Sequence, residues 1–558
     1  MTSSAQVDRF VHDRLPRPEQ LPSLLFDAPE LRFPDELNLV VELLDKAAQK
    51  GYADRPMLRS RARTLSYAQA LDQVNRIAQV LTQDLGLVAG NRVMLRGGNS
   101  MGLALVWLAV VKAGLVAVAT MPLLRAKELG DIIDKAQPAV ALCDARLLAE
   151  LQQAQVQYPV LRTILAFDGG QPISGGPAPQ ELPGGAGTLD RLGPLAARKD
   201  GQFSACPTAA TDIALLAFTS GTTGKPKAAV HTHRDVLASC ETWPRHVLRA
   251  RPEDIVMGSP PLAFTFGLGG MLVFPLWAGA SVYFPDIPYT PKAMAELIFE
   301  SGATICYTAP TFYRQMAPFI KALVGERGAP ALRICVSAGE GLPDATRQLW
   351  KDATGIEMLD GIGATEMFHI FISSAPDEVR RGAIGKVVPG YQARVVDDGG
   401  APVPHGTLGR LAVKGPTGCK YMDDARQSTY VREGWNLPGD AFVQDADGYF
   451  FYQARTDDMI ITSGYNVGAP EVEDALLRHP AVAECAVIGK PDEERGMIVK
   501  AFCVLKPGFA CDAAMVKKLQ DHVKASIAPY KYPREIEFAA ALPRTETGKL
   551  QRFRLKQP

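Results

Sequence analysis

The sequence predicts an α/β fold, with a large amino-terminal domain built of several subdomains and a small α+β domain at the carboxyl end. Helical periodicity, as in residues 67–83 and 291–302, alternates with short β-rich runs such as residues 304–309. This alternation is typical of largely parallel sheets covered by helices. The chain has 558 residues, whereas single cores stop growing near about 250–300 residues. We therefore expect several cores.

The large domain is predicted over residues 1–455 and the small domain over residues 456–558. After residue 383 the pattern changes to shorter strands separated by turn residues, which indicates a β-rich subdomain inside the large domain. The small domain mixes strand-like and helical runs. Residues 168–187 are rich in glycine and proline, and this composition predicts a surface loop without chemistry.

Charge, cysteine usage and hydropathy exclude some classes of protein. Sixty basic and sixty acidic residues cancel, so no global field attracts nucleic acid or an anionic membrane surface. Nine cysteines without a C-x-x-C pair and an amino terminus unlike a signal peptide predict a reducing cytoplasm. The apolar run 101–124 contains Lys112 near its middle and is punctuated by Gly114 and Pro122. It predicts a buried helix ending near Ala113 and then a buried strand, rather than a membrane span.

A loop rich in threonine, serine and glycine follows an apolar strand within residues 215–233. Its glycines let backbone N–H groups approach phosphate oxygens, its hydroxyls add donors, and Lys225 and Lys227 add positive charge. The pattern therefore indicates a phosphate-binding loop. It is not a Walker loop, because that motif needs four residues between its glycines and only two separate Gly221 from Gly224.

Residues 219–227, with the sequence TSGTTGKPK, resemble the signature loop of the adenylate-forming superfamily, which includes acyl-CoA synthetases, adenylation domains of peptide synthetases and firefly-type luciferases. Four further segments resemble that superfamily in the same order: DGIGATEM at 360–367, WNLPGD at 435–440, the stretch 454–474 and PRTETGK at 543–549. The resemblance implies activation of a carboxylic acid as an acyl-adenylate, by a large adenylate-forming domain and a small mobile domain.

The resemblance also implies roles for individual residues. It implies binding of ATP or AMP by Thr219, Ser220, Gly221, Thr222, Thr223, Gly224, Lys227, Ala338, Gly339, Glu340, Asp360, Gly361, Ile362, Asp440 and Arg455. Within this set, hydroxyl groups would hold the phosphates. Asp440 and Arg455 would hold the ribose, since a carboxylate accepts hydrogen bonds from a vicinal diol.

The implied catalytic residues are Lys549, Thr365 and Glu366. Glu366 would help to bind Mg2+, which prefers hard oxygen ligands. Lys549 would approach the α-phosphate and the substrate carboxylate, where a fixed cation offsets the repulsion between two anions. Asp457 would be the hinge about which the small domain rotates between adenylation and thioester formation. ATP and coenzyme A are the implied co-substrates.

The run from Asp360 to Phe371 resembles the matching run of benzoate-CoA ligases, including Ile362 where the superfamily usually has an aromatic residue. The segment 261–270 resembles the same group, and apolar walls suit a flat aromatic ring. The predicted acyl pocket is lined by Phe264, Thr265, Phe266, Gly363, His369 and Ile370. Segments near the amino terminus and at 119–129 resemble 2-aminobenzoate-CoA ligases, which adds that acid to benzoate as a candidate substrate.

The sequence thus predicts an ATP-dependent aromatic acid–CoA ligase acting on 2-aminobenzoate or benzoate. Two alternatives stay open: an aryl-acid adenylating enzyme that loads a carrier-protein phosphopantetheine, and an inactive ATP-binding scaffold on the same fold. The expected partners are a small aromatic carboxylic acid, ATP and coenzyme A, without nucleic acid or stable membrane association. A homodimer is left open, and the predicted location is the cytoplasm.

Overall fold

A computed structural model describes residues 3–169, 191–219, 226–456, 458–462, 465–492, 495–544 and 550–556. The α-helices of these residues are Leu39–Leu43, Tyr67–Gln79, Met101–Lys112, Ala126–Ala136, Leu148–Gln157, Leu192–Ala197, His233–Cys240, Thr265–Leu268, Phe274–Ala278, Pro291–Ser301, Pro310–Arg327, Asp344–Thr354, Gln427–Tyr430, Ala469–Leu477, Ala513–Ser526 and Arg552–Leu555. Helices and strands alternate over most of the chain, which confirms the predicted α/β class.

The first sheet lies in the amino-terminal half of the chain. Its strands run in the spatial order Thr163–Phe167, Val140–Asp144, Arg92–Arg96, Val116–Thr120, Ile213–Thr219 and Lys227–Thr232. All neighbouring strands are parallel except the last pair, which is antiparallel. The strands Arg92–Arg96 and Val140–Asp144 are buried along their whole length, as expected for parallel strands covered on both faces.

The second sheet is larger, and two of its strands contain residues of the predicted acyl pocket, Gly363 and Ile370. Its strands run in the order Lys386–Val387, Ile370–Ser373, Met358–Gly363, Ile334–Ser337, Ile305–Thr308, Ile255–Gly258, Ser281–Tyr283, Pro56–Arg59 and Thr64–Ser66. The inner strands from Met358–Gly363 to Pro56–Arg59 are parallel. The candidate residues 338–340 therefore follow one of these parallel strands, and residues 360–366 lie at the end of the neighbouring strand and just after it. Ligands of α/β proteins bind at this edge of the sheet.

The third sheet confirms the β-rich subdomain predicted after residue 383. Its strands run in the order Val431–Arg432, Trp435–Asn436, Leu408–Lys414, Asp440–Gln444 and Phe450–Arg455, and Gln392–Val396 also pairs with Leu408–Lys414. All of these pairings are antiparallel.

The carboxyl-terminal sheet belongs to a small α+β unit with its own buried core. Its strands run in the order Tyr465–Val467, Ile460–Thr462, Gly496–Leu505 and Val482–Asp492, with Glu535–Phe538 pairing to Gly496–Leu505. The predicted division after residue 455 coincides with the end of the strand Phe450–Arg455. The boundary itself stays a prediction.

The apolar run 101–124 folds as predicted, as the helix Met101–Lys112 followed by the strand Val116–Thr120. The ammonium of Lys112 is buried, and it reaches Asp45 at 2.7 Å and the amide oxygen of Asn75 at 2.6 Å. A buried charge needs such partners, since an isolated one costs several kcal/mol or more. Within the described part of the chain, no helix is long and apolar enough to cross a bilayer.

Candidate active site

The predicted phosphate loop connects two strands of the first sheet. The strands Ile213–Thr219 and Lys227–Thr232 are antiparallel, and Thr219 pairs with Lys227 at the end where the loop joins them. The first of these strands is apolar and buried up to its last residue. It therefore runs through the core and ends where the predicted phosphate loop begins. The predicted residues Ser220, Gly221, Thr222, Thr223 and Gly224 lie outside the described residues, as does Lys225.

A segment from the region of the third sheet pairs with the strand Lys227–Thr232. The backbone N–H of Val230 donates to the carbonyl of Lys420 at 2.8 Å, and that of Met422 donates to the carbonyl of Ala228 at 3.0 Å. This pairing places the side chain of Tyr421 beside the end of the loop. There the ammonium of Lys227 donates to the Tyr421 hydroxyl at 3.2 Å.

Thr365 and Glu366 begin the short 3-10 turn Thr365–Met367, which follows the strand Met358–Gly363 after one residue. The Nε2–H of His231 donates to the carbonyl of Thr365 at 2.8 Å. Burial lowers the pKa of His231 to about 4, so the ring is neutral at pH 7 and Nε2 carries its one proton. Phe368 follows the turn with φ +71°, a conformation that is strained for a bulky residue and is often found at functional sites.

The carboxylate of Glu366 is almost completely buried, with 8% of the residue exposed. The hydroxyl of Tyr421 donates to its Oε1, and the hydroxyl of Tyr430 donates to its Oε2 at 3.5 Å. Among the described residues, no basic side chain forms an ion pair with it. A buried carboxylate held only by neutral donors can still accept a cation, which fits a ligand of Mg2+.

The predicted ribose-binding residues, Asp440 and Arg455, are direct cross-strand neighbours in the third sheet. The guanidinium of Arg455 donates to the Asp440 carboxylate at 3.2 Å and to the carbonyl of Pro438 at 2.7 Å. Between these two acceptors, Gly439 has φ +86°, and a Cβ there would lie 2.8 Å from the guanidinium. The structure therefore brings the pair together. The predicted hinge, Asp457, and the predicted catalytic lysine, Lys549, both lie outside the described residues.

Ala338, Gly339 and Glu340 follow the strand Ile334–Ser337. Gly339 has φ +92°, a left-handed conformation that favours glycine. Glu340 accepts a hydrogen bond from the Thr311 hydroxyl at 2.9 Å and pairs with Arg544 of the carboxyl-terminal unit at 3.4 Å.

Asp360, Gly361 and Ile362 lie in the strand that leads to Thr365. The Asp360 carboxylate is buried, and burial raises the pKa of this group to about 6. The backbone N–H of Gly361 donates to the carboxylate at 2.9 Å. Ile362 is half-buried and packs against the main core.

The predicted acyl-pocket residues come from two segments that meet beside the second sheet. Phe264 precedes the helix Thr265–Leu268, and Thr265 is buried in the first turn of that helix. The ring of Phe266 lies 5.4 Å from that of His369, whose Nε2 is 3.3 Å from the Phe266 carbonyl. Phe266 and His369 are therefore in direct contact.

Gly363 and Ile370 are fixed by close packing near the same contact. A Cβ at Gly363 would lie 2.5 Å from the carbonyl oxygen of His369, and a Cβ at Gly361 would lie 2.7 Å from Ile370. Neither glycine leaves room for a side chain. One group of contacting residues thus contains Phe266, Gly363, His369 and Ile370. Phe264 and Thr265 adjoin this group in the chain.

Three further aromatic residues surround this group and were not predicted from the sequence. The rings of Trp243 and Phe274 lie 5.3 Å and 4.6 Å from that of His369, and the ring of Tyr307 lies 5.8 Å from that of Phe266. In sequence each is an ordinary apolar position, so only their spatial convergence identifies them. The cluster buries His369 and lowers its pKa to about 3, which keeps the imidazole neutral.

Glycines provide the space for these rings. The helix Thr265–Leu268 continues into a π-helical turn over Gly269–Val273, a feature often found at functional sites. A Cβ at Gly269 would lie 2.6 Å from the His369 ring, and a Cβ at Gly270 would lie 2.8 Å from the Tyr307 ring.

Comparison with known proteins gives two family matches. The AMP-binding enzyme family matches residues 44–420, and the AMP-binding enzyme C-terminal domain matches residues 471–549. Benzoate–CoA ligase of Thauera aromatica is 35% identical, over 95% of this chain and 97% of that protein. The 4-hydroxybenzoate–CoA/benzoate–CoA ligase of Rhodopseudomonas palustris is 32% identical, over 94% of both chains. The crystal structure of the anthranilate CoA ligase AuaEII with anthranoyl-AMP has a TM-score of 0.86 and 34% identity, over 95% of this chain and 98% of that one.

Proposed function

The chain belongs to the AMP-binding enzyme family, and from that membership we propose that it is an ATP-dependent aromatic acid–CoA ligase acting on 2-aminobenzoate or benzoate. In the first half-reaction, a carboxylate oxygen of the acid attacks the α-phosphorus of ATP, and pyrophosphate leaves. In the second, the thiolate of coenzyme A attacks the acyl carbon, and AMP leaves. The observation that carries the aromatic assignment is the ring cluster around Phe266 and His369. The names of two relatives support it, since one is a ligase of benzoate and the other a ligase of anthranilate, another name for 2-aminobenzoate.

Thr365 and Glu366 are proposed to act on the triphosphate. Mg2+ takes oxygen ligands and usually keeps several waters and phosphate oxygens, so a single protein carboxylate is a sufficient protein contribution. Bound there, the ion would neutralise charge on the phosphates. The buried carboxylate of Glu366, held by two tyrosine hydroxyls, fits this donor set. Lys227 would contribute a second positive charge from the end of the loop.

The nucleotide is proposed to lie between the loop and the third sheet. Asp440 would accept from the ribose hydroxyls, with its orientation fixed by Arg455. Ala338, Gly339 and Glu340 would border the adenine together with Ile362, which offers an apolar rather than an aromatic surface. Lys549 and Asp457 keep the roles proposed from the sequence, as the cation at the forming bond and as the hinge.

The acyl pocket is proposed to bind a flat ring against Phe264, Thr265 and Phe266 on one side and Gly363, His369 and Ile370 on the other. A neutral His369 suits this site, because a buried imidazolium beside an aromatic ring would need a charged partner. A rigid slot also orients the carboxylate toward the α-phosphorus, and misplacement by about 1 Å can cost on the order of a hundredfold in rate.

The cellular setting is also a proposal. All nine cysteines are free, which supports a reducing compartment such as the cytoplasm. Whether the enzyme acts as a monomer or a homodimer would be answered by sedimentation of the purified protein.

The test is kcat/KM for benzoate, 2-aminobenzoate, hexanoate and octanoate, with pyrophosphate release and thioester formation measured separately. We expect both aromatic acids to exceed both aliphatic acids. A faster aliphatic acid would refute the aromatic assignment. Transfer to a carrier-bound phosphopantetheine in preference to coenzyme A would favour the carrier-loading alternative, and no pyrophosphate with any acid would favour the inactive scaffold.

Thr265 is the candidate contact for an ortho amino group, because its hydroxyl can accept from an amine. We expect Thr265→Ala to lower kcat/KM for 2-aminobenzoate relative to benzoate. Thr208→Ala is the matched control, since it removes a buried threonine hydroxyl that donates to the carbonyl of Leu37 at 2.8 Å. An unchanged ratio in Thr265→Ala would refute this contact alone.

A further inference from the structure

Tyr421 occupies a central position between the loop and the acidic turn. Its ring is fully buried, with 1% of the residue exposed. Its hydroxyl accepts from the Lys227 ammonium at 3.2 Å and donates to Oε1 of Glu366. The same ammonium lies 5.1 Å from the centre of the Tyr421 ring. One hydroxyl therefore links a cation at the end of the loop to the buried carboxylate of the turn.

The direction of these hydrogen bonds follows from the charges. Lys227 has only donors and an ionised Glu366 has only acceptors, so the hydroxyl must accept from one and donate to the other. A tyrosine phenol ordinarily ionises only near about pH 10, so at neutral pH it has a proton to donate. Hydrogen bonds to ionised groups are stronger than those between neutral groups, so each charge is held in one orientation.

The hydroxyl also keeps the two charges apart. Without it, the flexible Lys227 side chain would be free to pair directly with Glu366, because opposite charges in a partly buried site attract strongly. Such a pair would neutralise both groups. The carboxylate would then be a poorer ligand for a cation, and the ammonium would be turned away from an anionic ligand.

Tyr421 is itself fixed by its backbone and its neighbours. Its N–H donates to the side-chain oxygen of Gln427 at 2.9 Å, and Gln427 donates to the carbonyl of Gln20 at 2.9 Å. Its ring meets that of Tyr430 edge to face at 5.8 Å. The helix Gln427–Tyr430 therefore holds both the backbone and the ring of Tyr421, which fixes the position of the hydroxyl.

We infer that Tyr421 is a positioning residue for magnesium nucleotide, which orients the Glu366 carboxylate and prevents Lys227 from pairing with it. This inference rests on the proposed role of Glu366 in binding the magnesium form of ATP. Tyr421 acts through these two neighbours and does not itself touch the reacting atoms. Residues that orient a metal ligand typically contribute about 10- to 100-fold to metal affinity.

The experiment measures binding without turnover. The dissociation constant of magnesium α,β-methylene-ATP is determined by calorimetry over a series of Mg2+ concentrations, with no acid present. Tyr421→Phe keeps the ring and removes only the hydroxyl. We expect it to weaken binding by about 10-fold or more at saturating Mg2+, with a corresponding rise in the Mg2+ concentration needed for half-maximal binding.

Tyr313→Phe is the matched control. Tyr313 is also fully buried, and its hydroxyl donates to the carbonyls of Cys306 at 2.7 Å and Val336 at 3.2 Å. This variant should lower the melting temperature while leaving the Mg2+ dependence unchanged. Equal shifts of nucleotide binding in both variants would show a general effect of stability and overturn the inference.

A double-mutant cycle tests whether Tyr421 acts through Glu366. Adding Tyr421→Phe to Glu366→Gln should cause much less further loss of binding than it causes in the wild type. Full additivity, wild-type affinity in Tyr421→Phe, or failure of that variant to fold would each overturn the positioning role. Absence of magnesium-nucleotide binding by the wild type would instead refute the proposed function.

Discussion

His369 connects the acyl pocket to stability in acid. The ring lies among Trp243, Phe266 and Phe274, and burial lowers the pKa of His369 to about 3 from an ordinary 6.5. The folded protein therefore keeps this imidazole neutral at a pH where the unfolded chain protonates it. His369→Gln removes the titration and keeps an amide N–H that can replace the donor to the Phe266 carbonyl.

The expected magnitude follows from proton linkage. The folded-state pKa is depressed, so the stabilising contribution is complete above pH 6.5 and is lost as the pH falls from 6.5 toward 3. Within this window each pH unit costs about 1.4 kcal/mol per histidine. At pH 5 the wild type should therefore have lost about 2 kcal/mol through His369 alone. Burial also lowers the pKa values of His231 and His233 to about 4. These two histidines remain in the variant, so only the acid sensitivity that comes from His369 should disappear.

The assay is urea unfolding at pH 7.5 and pH 5, followed by near-ultraviolet circular dichroism, which reports on the aromatic cluster. Wild type and His369→Gln are compared by the difference between the two pH values, so that any constant cost of the substitution cancels. We expect a smaller acid loss in the variant by about 2 kcal/mol. If both proteins lose the same free energy of unfolding between the two pH values, folding does not lower the pKa of His369, and the reasoning is refuted.

Two further predictions concern the carboxyl-terminal domain. Lys549→Ala should abolish acyl-AMP formation while largely sparing transfer from preformed acyl-AMP to coenzyme A, because the lysine is proposed to act in one half-reaction. Separate assays of the two half-reactions check this, and equal loss of both contradicts it. Asp457→Pro should have the reverse effect, since proline restricts φ at a residue that must change its backbone angles. Fast transfer with failed adenylation would exclude Asp457 as the hinge.

Local sequence patterns predicted the elements well where one pattern decided the structure. The run 101–124 is an example, because Gly114 separates a helix-length apolar segment from a β-rich one. The partner of Lys112 was not predictable in the same way. Asp45 is distant in sequence and has no motif of its own, and only the packed fold brings it to 2.7 Å from the ammonium.

The candidate site shows the same division. Phe266 and His369 were selected by family likeness, and the structure brings their rings to 5.4 Å. Trp243 and Tyr307 complete the cluster, but each comes from a different element and reads in sequence as an ordinary core residue. Tyr421 was not predicted from the sequence for the same reason. Its inferred role depends on contacts with Glu366 and Lys227, which lie 55 and 194 positions away in the chain. Long-range polar contacts leave no periodic signal in the chain.

The pairing of residues 420–422 with the strand Lys227–Thr232 also bears on how the protein folds. This strand forms the edge of the first sheet, and its backbone partners arrive nearly two hundred residues later in the chain. During synthesis the edge is therefore exposed until the later segment emerges, and an apolar edge with free N–H and C=O groups can pair with other chains. The same late contact brings Tyr421 to Glu366. Protection of this edge and the position of Tyr421 beside Glu366 thus depend on the same backbone pairing.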